Sequence, residues 1–242
     1  MRRRLAAAAI VFAAFVFLHL PVEDAFDWMA GRFGFETYDR VAFWTFLTAG
    51  ILLLAAAWLW PSRRRALIGS SMTALLVLMA VAQGLLVVVS IENIHYPQYA
   101  LLLWALARAL PSVESAWLIT VGLGIVDEGY QFVAQTRGTP GYFDWNDVVL
   151  NAIGACLGVV VTLALTSAVP RARLRARTAV VVAAGLIAIA FVLDPPVLSP
   201  FFSFTPGGRA FHRVSATEAA VVVAALWAGV RASLSAPNLP AT

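Results

Sequence analysis

The stretch ESAWLITVGLGIVDEGYQFVA, from Glu114 to Ala134, decides the fold. Its apolar run is that of a membrane-spanning helix, yet Asp127, Glu128 and Gln131 stand where lipid belongs. A charge at the centre of such a helix costs about 2.5–3.5 kcal/mol on insertion scales. It persists where it faces a bundle interior, pairs, or lines a wet cavity. Asp127 and Glu128 are adjacent, so they point about 100° apart on a helix and cannot share one solvent-facing stripe. The stretch reads as one wall of a polar site inside a helical membrane bundle.

Composition agrees. The chain has 242 residues, 61% hydrophobic and 12% charged, where a soluble domain carries about 25% charged. One cysteine leaves no disulfide framework and no thiol metal site. The class is all-α, a polytopic transmembrane bundle. A pI near 9.8 is compatible with nucleic-acid binding, but the arginines fall in loops between apolar runs, where they anchor topology. No nucleic-acid partner is expected.

Runs of spanning length predict about eight helices, at Leu5–Leu20, Val41–Trp60, Ala66–Ser90, Tyr96–Leu110, Ser115–Ala134, Trp145–Val169, Thr178–Val192 and Thr217–Ser233. Pro97 and Pro111 leave the fourth about 20 Å at 1.5 Å per residue, short of a core of about 30 Å. It either starts within the membrane or runs back to Ile91 with Pro97 in its first turn. With both termini cytoplasmic, the inner segments hold 12 arginines and Glu114, or +11. The outer segments hold 5 arginines and 12 acids, or −7, and the two make the chain's +4. That asymmetry obeys the positive-inside rule. The amino-terminal RRR followed by AAAAIVFAAFVF also has the regions of a signal peptide, but no A-x-A site follows, which favours an uncleaved anchor. The outer segment Pro21–Arg40 is acidic and aromatic, the pattern of a short interfacial helix. The Pro/Phe-rich outer loop 191–216 opposes regular structure. The whole chain, 1–242, is one membrane domain.

Polar residues gather in three places, all at helix ends on the outer side. IENIHYPQY places His95 and Tyr99 four apart, on one helix face. DEGYQ carries Asp127, Glu128 and Gln131. FDWNDVVLNAIGACLG carries Asp144, Asp147 and Asn151, and its Gly154 and Gly158 have the spacing that lets another helix approach closely. Arg137, in QTRGTPGY, is the one arginine of its short loop. It either neutralises the carboxylates by bidentate pairing or binds an anionic headgroup. Asp144 and Asp147 also have a structural reading as caps of the sixth helix. Asn151 has one as an interhelical hydrogen bond, and His95 as an interfacial histidine.

Asp127, Glu128, Gln131, Arg137, Asp147, Asn151, Gly154 and Gly158, in this order, resemble the VanZ-like signature D-E-x-x-Q, then Arg, then D-x-x-x-N-x-x-G-x-x-x-G. His95 and Tyr99 match that family's upstream H-x-x-x-Y. Ile91 and Glu92 stand where the family has an Asp-Lys pair. The resemblance covers residues 41–169, the VanZ-like core, and leaves 170–242 as two added helices with the Pro/Phe-rich loop. It implies a multi-pass protein of the bacterial cytoplasmic membrane, in a family named for teicoplanin resistance, with no established reaction.

Three functions compete. The first is binding of an amphiphile at the outer leaflet, a membrane lipid or lipid-linked cell-wall precursor, without cofactor. Its binding set is His95, Tyr99, Asp127, Glu128, Gln131, Arg137, Asp147 and Asn151. The second is an intramembrane enzyme in which Asp127, Glu128 and His95 are the catalytic candidates. There His95, Asp127, Glu128 and Asp147 would hold a divalent metal. The third is a transporter or a subunit of a membrane complex. The one-sided placement of the polar residues and the lack of repeats weigh against transport.

Overall fold

In hydrocarbon every backbone N–H and C=O needs an internal partner, and a helix supplies one residue by residue. The apolar runs of this chain fold accordingly. The computed structural model describes residues 2–61, 64–135, 143–166, 202–204 and 210–235. Among them run seven α-helices: α1 (Arg2–Phe33), α2 (Phe35–Leu59), α3 (Arg65–Leu85), α4 (His95–Ala107), α5 (Val113–Tyr130), α6 (Trp145–Leu165) and α7 (Ala216–Ser235). A 3-10 turn, Ser90–Ile94, leads into α4, and a π-turn, Gln131–Gln135, ends α5. Five helices, α1, α2, α3, α6 and α7, are long and apolar enough to cross a membrane. The protein is a mostly helical membrane protein. The helix expected at Thr178–Val192 and the loop residue Arg137 lie outside the described residues.

Three features of the sequence reading change in the structure. The segment after Pro21 is not a separate interfacial helix. It continues α1 for 32 residues in all, with Pro21 inside the helix. Gly34, at φ 85°, then reverses the chain into α2, a conformation that glycine alone adopts freely. The aromatic residues staple this reversal: Phe26 meets Phe35 edge-on at 6.4 Å and Tyr38 at 4.9 Å. α3 ends at Leu85, five residues short of Ser90, and the polar SIEN run becomes the 3-10 turn. In the Pro/Phe-rich loop, where irregular backbone was expected, β1 (Phe202–Phe204) pairs antiparallel with β2 (Ala210–His212). FSF and AFH carry the aromatic residues that suit strands, so the fold is not purely helical. Pro97 falls in the first turn of α4, and the turn running back through Ile91 is 3-10.

The helices alternate in direction, and polar contacts tie their ends into two levels. At one end Arg4 Nη1 donates to Arg108 O at 2.8 Å, Trp60 Nε1 to Ala164 O at 3.1 Å, and Arg231 Nε pairs with Glu114 at 3.0 Å. This level carries the arginine-rich helix termini. At the other, acidic end, Asp39 Oδ1 accepts from Ser90 N at 2.6 Å. Asn146 Nδ2 donates to Leu86 O and His212 O, each at 2.9 Å, and Asn146 Oδ1 accepts from Val214 N at 2.8 Å.

α6 is the axis of the bundle. In its 18-residue apolar window 83% of residues are buried, against 6% for α1 and α2. α4 has only 13 residues, about 20 Å at 1.5 Å per residue. Non-helical backbone beside a short helix survives at membrane depth where protein covers it, and here His95, Tyr99, Leu102, Leu103 and Leu106 are all buried. The glycines of α6 make that cover tight. A Cβ on Gly154 would stand 2.8 Å from His95 O, and one on Gly158 would stand 2.7 Å from Ala100 O. The backbones of α4 and α6 therefore touch, and the acidic ends of α4, α5 and α6 meet.

Candidate functional site

Three helix ends build the site. Asp144 starts α6: its Oδ1 accepts from Asn146 N at 2.9 Å and from Asp147 N at 3.4 Å, satisfying donors that a helix start leaves orphaned. The capping role read for Asp144 is the one it plays, and it frees Asp147 to face α4. There Asp147 Oδ2 lies 3.5 Å from His95 Nε2.

One turn along α4, Tyr99 Oη donates to Asp127 Oδ2 at 3.0 Å, in a bond between residues 1% and 4% exposed. The His95 and Tyr99 rings stack at 6.3 Å. Glu128 turns toward α6 instead, where Asn151 Nδ2 donates to its Oε1 at 3.4 Å. Gln131 Nε2 reaches the same oxygen at 3.5 Å. The two adjacent carboxylates thus serve two neighbours, Asp127 toward α4 and Glu128 toward α6, as their angular separation on α5 requires. Asn151, fully buried, stands against the His95 ring as well.

His95, Tyr99, Asp127, Glu128, Gln131, Asp147 and Asn151 are therefore brought together. Arg137 lies outside the described residues. Gly124, unremarked in the sequence, is what closes the group: a Cβ there would meet Tyr99 Cε1 at 3.1 Å and Asn151 Nδ2 at 3.2 Å. Its signal was its position, one turn before Glu128 on the same face.

Five buried side-chain atoms at this end have no hydrogen-bond partner among the described residues: His95 Nδ1, Tyr96 Oη, Asp127 Oδ1, Asn151 Oδ1 and Trp145 Nε1. An unpaired buried donor or acceptor costs about 1–3 kcal/mol. Such groups are rare in folded proteins and call for a partner.

His95, Asp127, Glu128 and Asp147 are engaged in separate pairs, and among the described residues no three His, Cys, Asp or Glu side chains converge as metal ligands.

Glu92 lies beside the site but turns away from it. Its carboxylate accepts from Val88 N at 2.8 Å and Val89 N at 3.4 Å, which locks the 3-10 turn. Burial, then the nearby Asp147 carboxylate, push Glu92 well above the usual carboxylate range. Asn146, also missed, fastens α3, β2 and the start of α7 to α6, directly beside Asp147. Its partners lie 60 to 68 residues away in sequence, where no local pattern points.

No curated protein and no solved structure matches the chain. The family model VanZ/LLP1 matches residues 6–166. That match begins ahead of the 41–169 core read from the motifs, takes in most of α1, and stops before β1 and α7. With about two thirds of its length matched, and with the signature residues of α4, α5 and α6 gathered at one end of the bundle, the chain belongs to the VanZ/LLP1 family.

Proposed function

We propose that the acidic end faces outward from a bacterial cytoplasmic membrane and binds the headgroup of an amphiphile in the outer leaflet. The ligand class is a membrane lipid or a lipid-linked cell-wall precursor. The orientation rests on the arginines, which place the Arg4, Arg64, Arg108 and Arg231 end inside and both termini with it. The observation that carries the reading is this buried polar group at the helix ends, with Asp127 Oδ1 unpartnered within it among the described residues. Its donors and acceptors are held in fixed geometry by the Tyr99–Asp127, His95–Asp147 and Glu128–Asn151 pairs. Gln131 Nε2 lies 3.5 Å from Glu128 Oε1, and Arg137 follows it by six residues in sequence. Arg137 supplies the positive charge for a phosphate or carboxylate.

The test is teicoplanin susceptibility of a bacterial host expressing the chain, with membrane accumulation followed in parallel. Expression of the unaltered chain lowers susceptibility. Glu128→Ala and Arg137→Ala abolish that effect while the protein accumulates normally. Variants that lose only abundance would make the polar group structural and end this reading.

A further inference from the structure

On the side of α6 away from the polar site lies a groove of about 420 Å³ between α3 and α7. Its floor is Ala82, Val149, Ile153 and Val214, each 6% exposed or less. Its rims are Val81, Leu85 and Val221, 49–65% exposed and facing the surroundings of the bundle. Polar side chains occur at one end only. There Thr217 and Glu218 flank His212, whose Nε2 is 3.0 Å from Glu218 Oε1, and Glu218 is anchored by Ser215 N at 2.8 Å.

We propose that this groove is a site for one alkyl chain of a membrane phospholipid, with the glycerol and headgroup at the His212–Glu218 end. Three features select that occupant. The groove opens sideways on helices that cross a membrane, so lipid is what reaches it. It is apolar along its length and polar at a single end, the end that carries the loops, which is the profile of an amphiphile standing in a leaflet. Water would find no partners on the floor, and an apolar cavity stays dry.

An extended alkyl chain fits a trough of about 420 Å³. The site is distinct from the polar one, because Val149 and Ile153 occupy a different face of α6 from Asp147 and Asn151. Its assignment to the outer leaflet rests on the orientation proposed above; its occupancy does not.

The test uses the full chain in nanodiscs of phosphatidylethanolamine doped with the same lipid carrying a diazirine at one acyl terminus. After photolysis, adducts are mapped by peptide mass spectrometry. Adducts are expected on the floor, at Ala82, Val149 or Ile153, as well as on the rims. Val149→Trp, which fills the trough, removes floor adducts by tenfold or more and leaves those at Ile51 and Leu101, exposed on α2 and α4, unchanged. Val221→Trp, at a rim position 65% exposed and so without effect on the core, narrows the mouth and lowers floor adducts in the same direction. Adducts confined to rims would overturn the proposal and leave the groove to another segment of the chain, 178–192 first. Floor adducts insensitive to both substitutions would overturn it too. Failure of teicoplanin protection, with floor adducts present, would count against the polar site alone.

Discussion

Gly154→Ala is the sharpest probe of the fold, because one methyl group is added where two backbones touch. The new Cβ would lie 2.8 Å from His95 O, 2.9 Å from Tyr96 O and 3.0 Å from Tyr96 Cα. Ordinary contact begins near 3.4 Å, so α4 has to retreat by at least 0.6 Å from 2.8 Å. All three obstacles are backbone atoms, and no side chain can swing away to absorb the strain. Overpacking of this kind costs about 1–3 kcal/mol. At roughly 2–4 °C per kcal/mol for a chain of this size, the melting temperature falls by about 2–12 °C. The retreat also moves His95 and Tyr99 off Asp147 and Asp127. The control is Gly122→Ala on α5, where a Cβ meets nothing within 4 Å and helix propensity favours alanine by up to about 1 kcal/mol. Both variants are purified in one detergent and unfolded by heat, with tryptophan fluorescence and size-exclusion recovery as readouts. A Gly154→Ala protein as stable as Gly122→Ala would refute the close α4–α6 contact on which the site geometry depends.

Other substitutions test other links. Asn146→Ala leaves Leu86 O, His212 O and Val214 N without their partner, at about 1–3 kcal/mol for each group that water cannot reach. Limited proteolysis should then cut the chain between α6 and α7 faster while α4–α6 stay protected, and unchanged cleavage would mean that Asn146 does not hold that segment. Glu92→Gln keeps an acceptor for Val88 N but removes the ionisation. A carboxyl with a raised folded pKa contributes stability that is fully present below its unfolded value and is lost as pH rises through the folded one. The variant should therefore gain in melting temperature over the unaltered protein as pH goes from 5 to 8, and a constant difference across that range would refute the assignment. Arg231→Ala removes the ion pair to Glu114, whose side chain is 8% exposed. Arg231 itself is 45% exposed, so screening limits the loss to about 1 kcal/mol or somewhat more. Glu114→Gln, by thermal unfolding, should cost less than Arg231→Ala, because it removes the buried charge whose ion pair Arg231→Ala takes away.

Periodicity and charge made the class, most helix positions and the polar helix ends readable. The site was readable because its members repeat at three and four residues: His95 with Tyr99, Asp147 with Asn151, Glu128 with Gln131. Such spacing is a statement about one helix, and it transfers directly to which residues share a face. It does not say which face meets which. That Asp127 would pair with Tyr99 and Glu128 with Asn151 depended on the rotation of α5 between α4 and α6, set by Gly124, Gly154 and Gly158. The misread parts have the opposite character. Pro21 looked like a helix stop because a single residue type was weighed against a long run of good helix formers. FSF and AFH were too short to show alternation, and their pairing is a contact across a turn. Asp39 and Asn146 looked like ordinary polar residues of loops and helix starts, and only their distant backbone partners reveal that they fasten the acidic end.

The division of α6 into faces gives that fastening a consequence. Asp147, Asn151, Gly154 and Gly158 form the stripe that meets α4 and α5; Asn146, Val149 and Ile153 form the one that meets α3 and the start of α7. Residues 146 and 147 are adjacent, so a rotation of the first turn of α6 that lengthens the His95–Asp147 contact also strains the bonds from Asn146 to Leu86, His212 and Val214. This adjacency predicts that the C-terminal segment outside the family match is coupled to the site through a single helical turn. A double-mutant cycle measures the coupling: Asn146→Ala and Asp147→Asn combined should depart from additivity by at least about 0.5 kcal/mol, the scale for residues sharing one network. Additive losses would show that α7 is attached to the family core without bearing on its polar end.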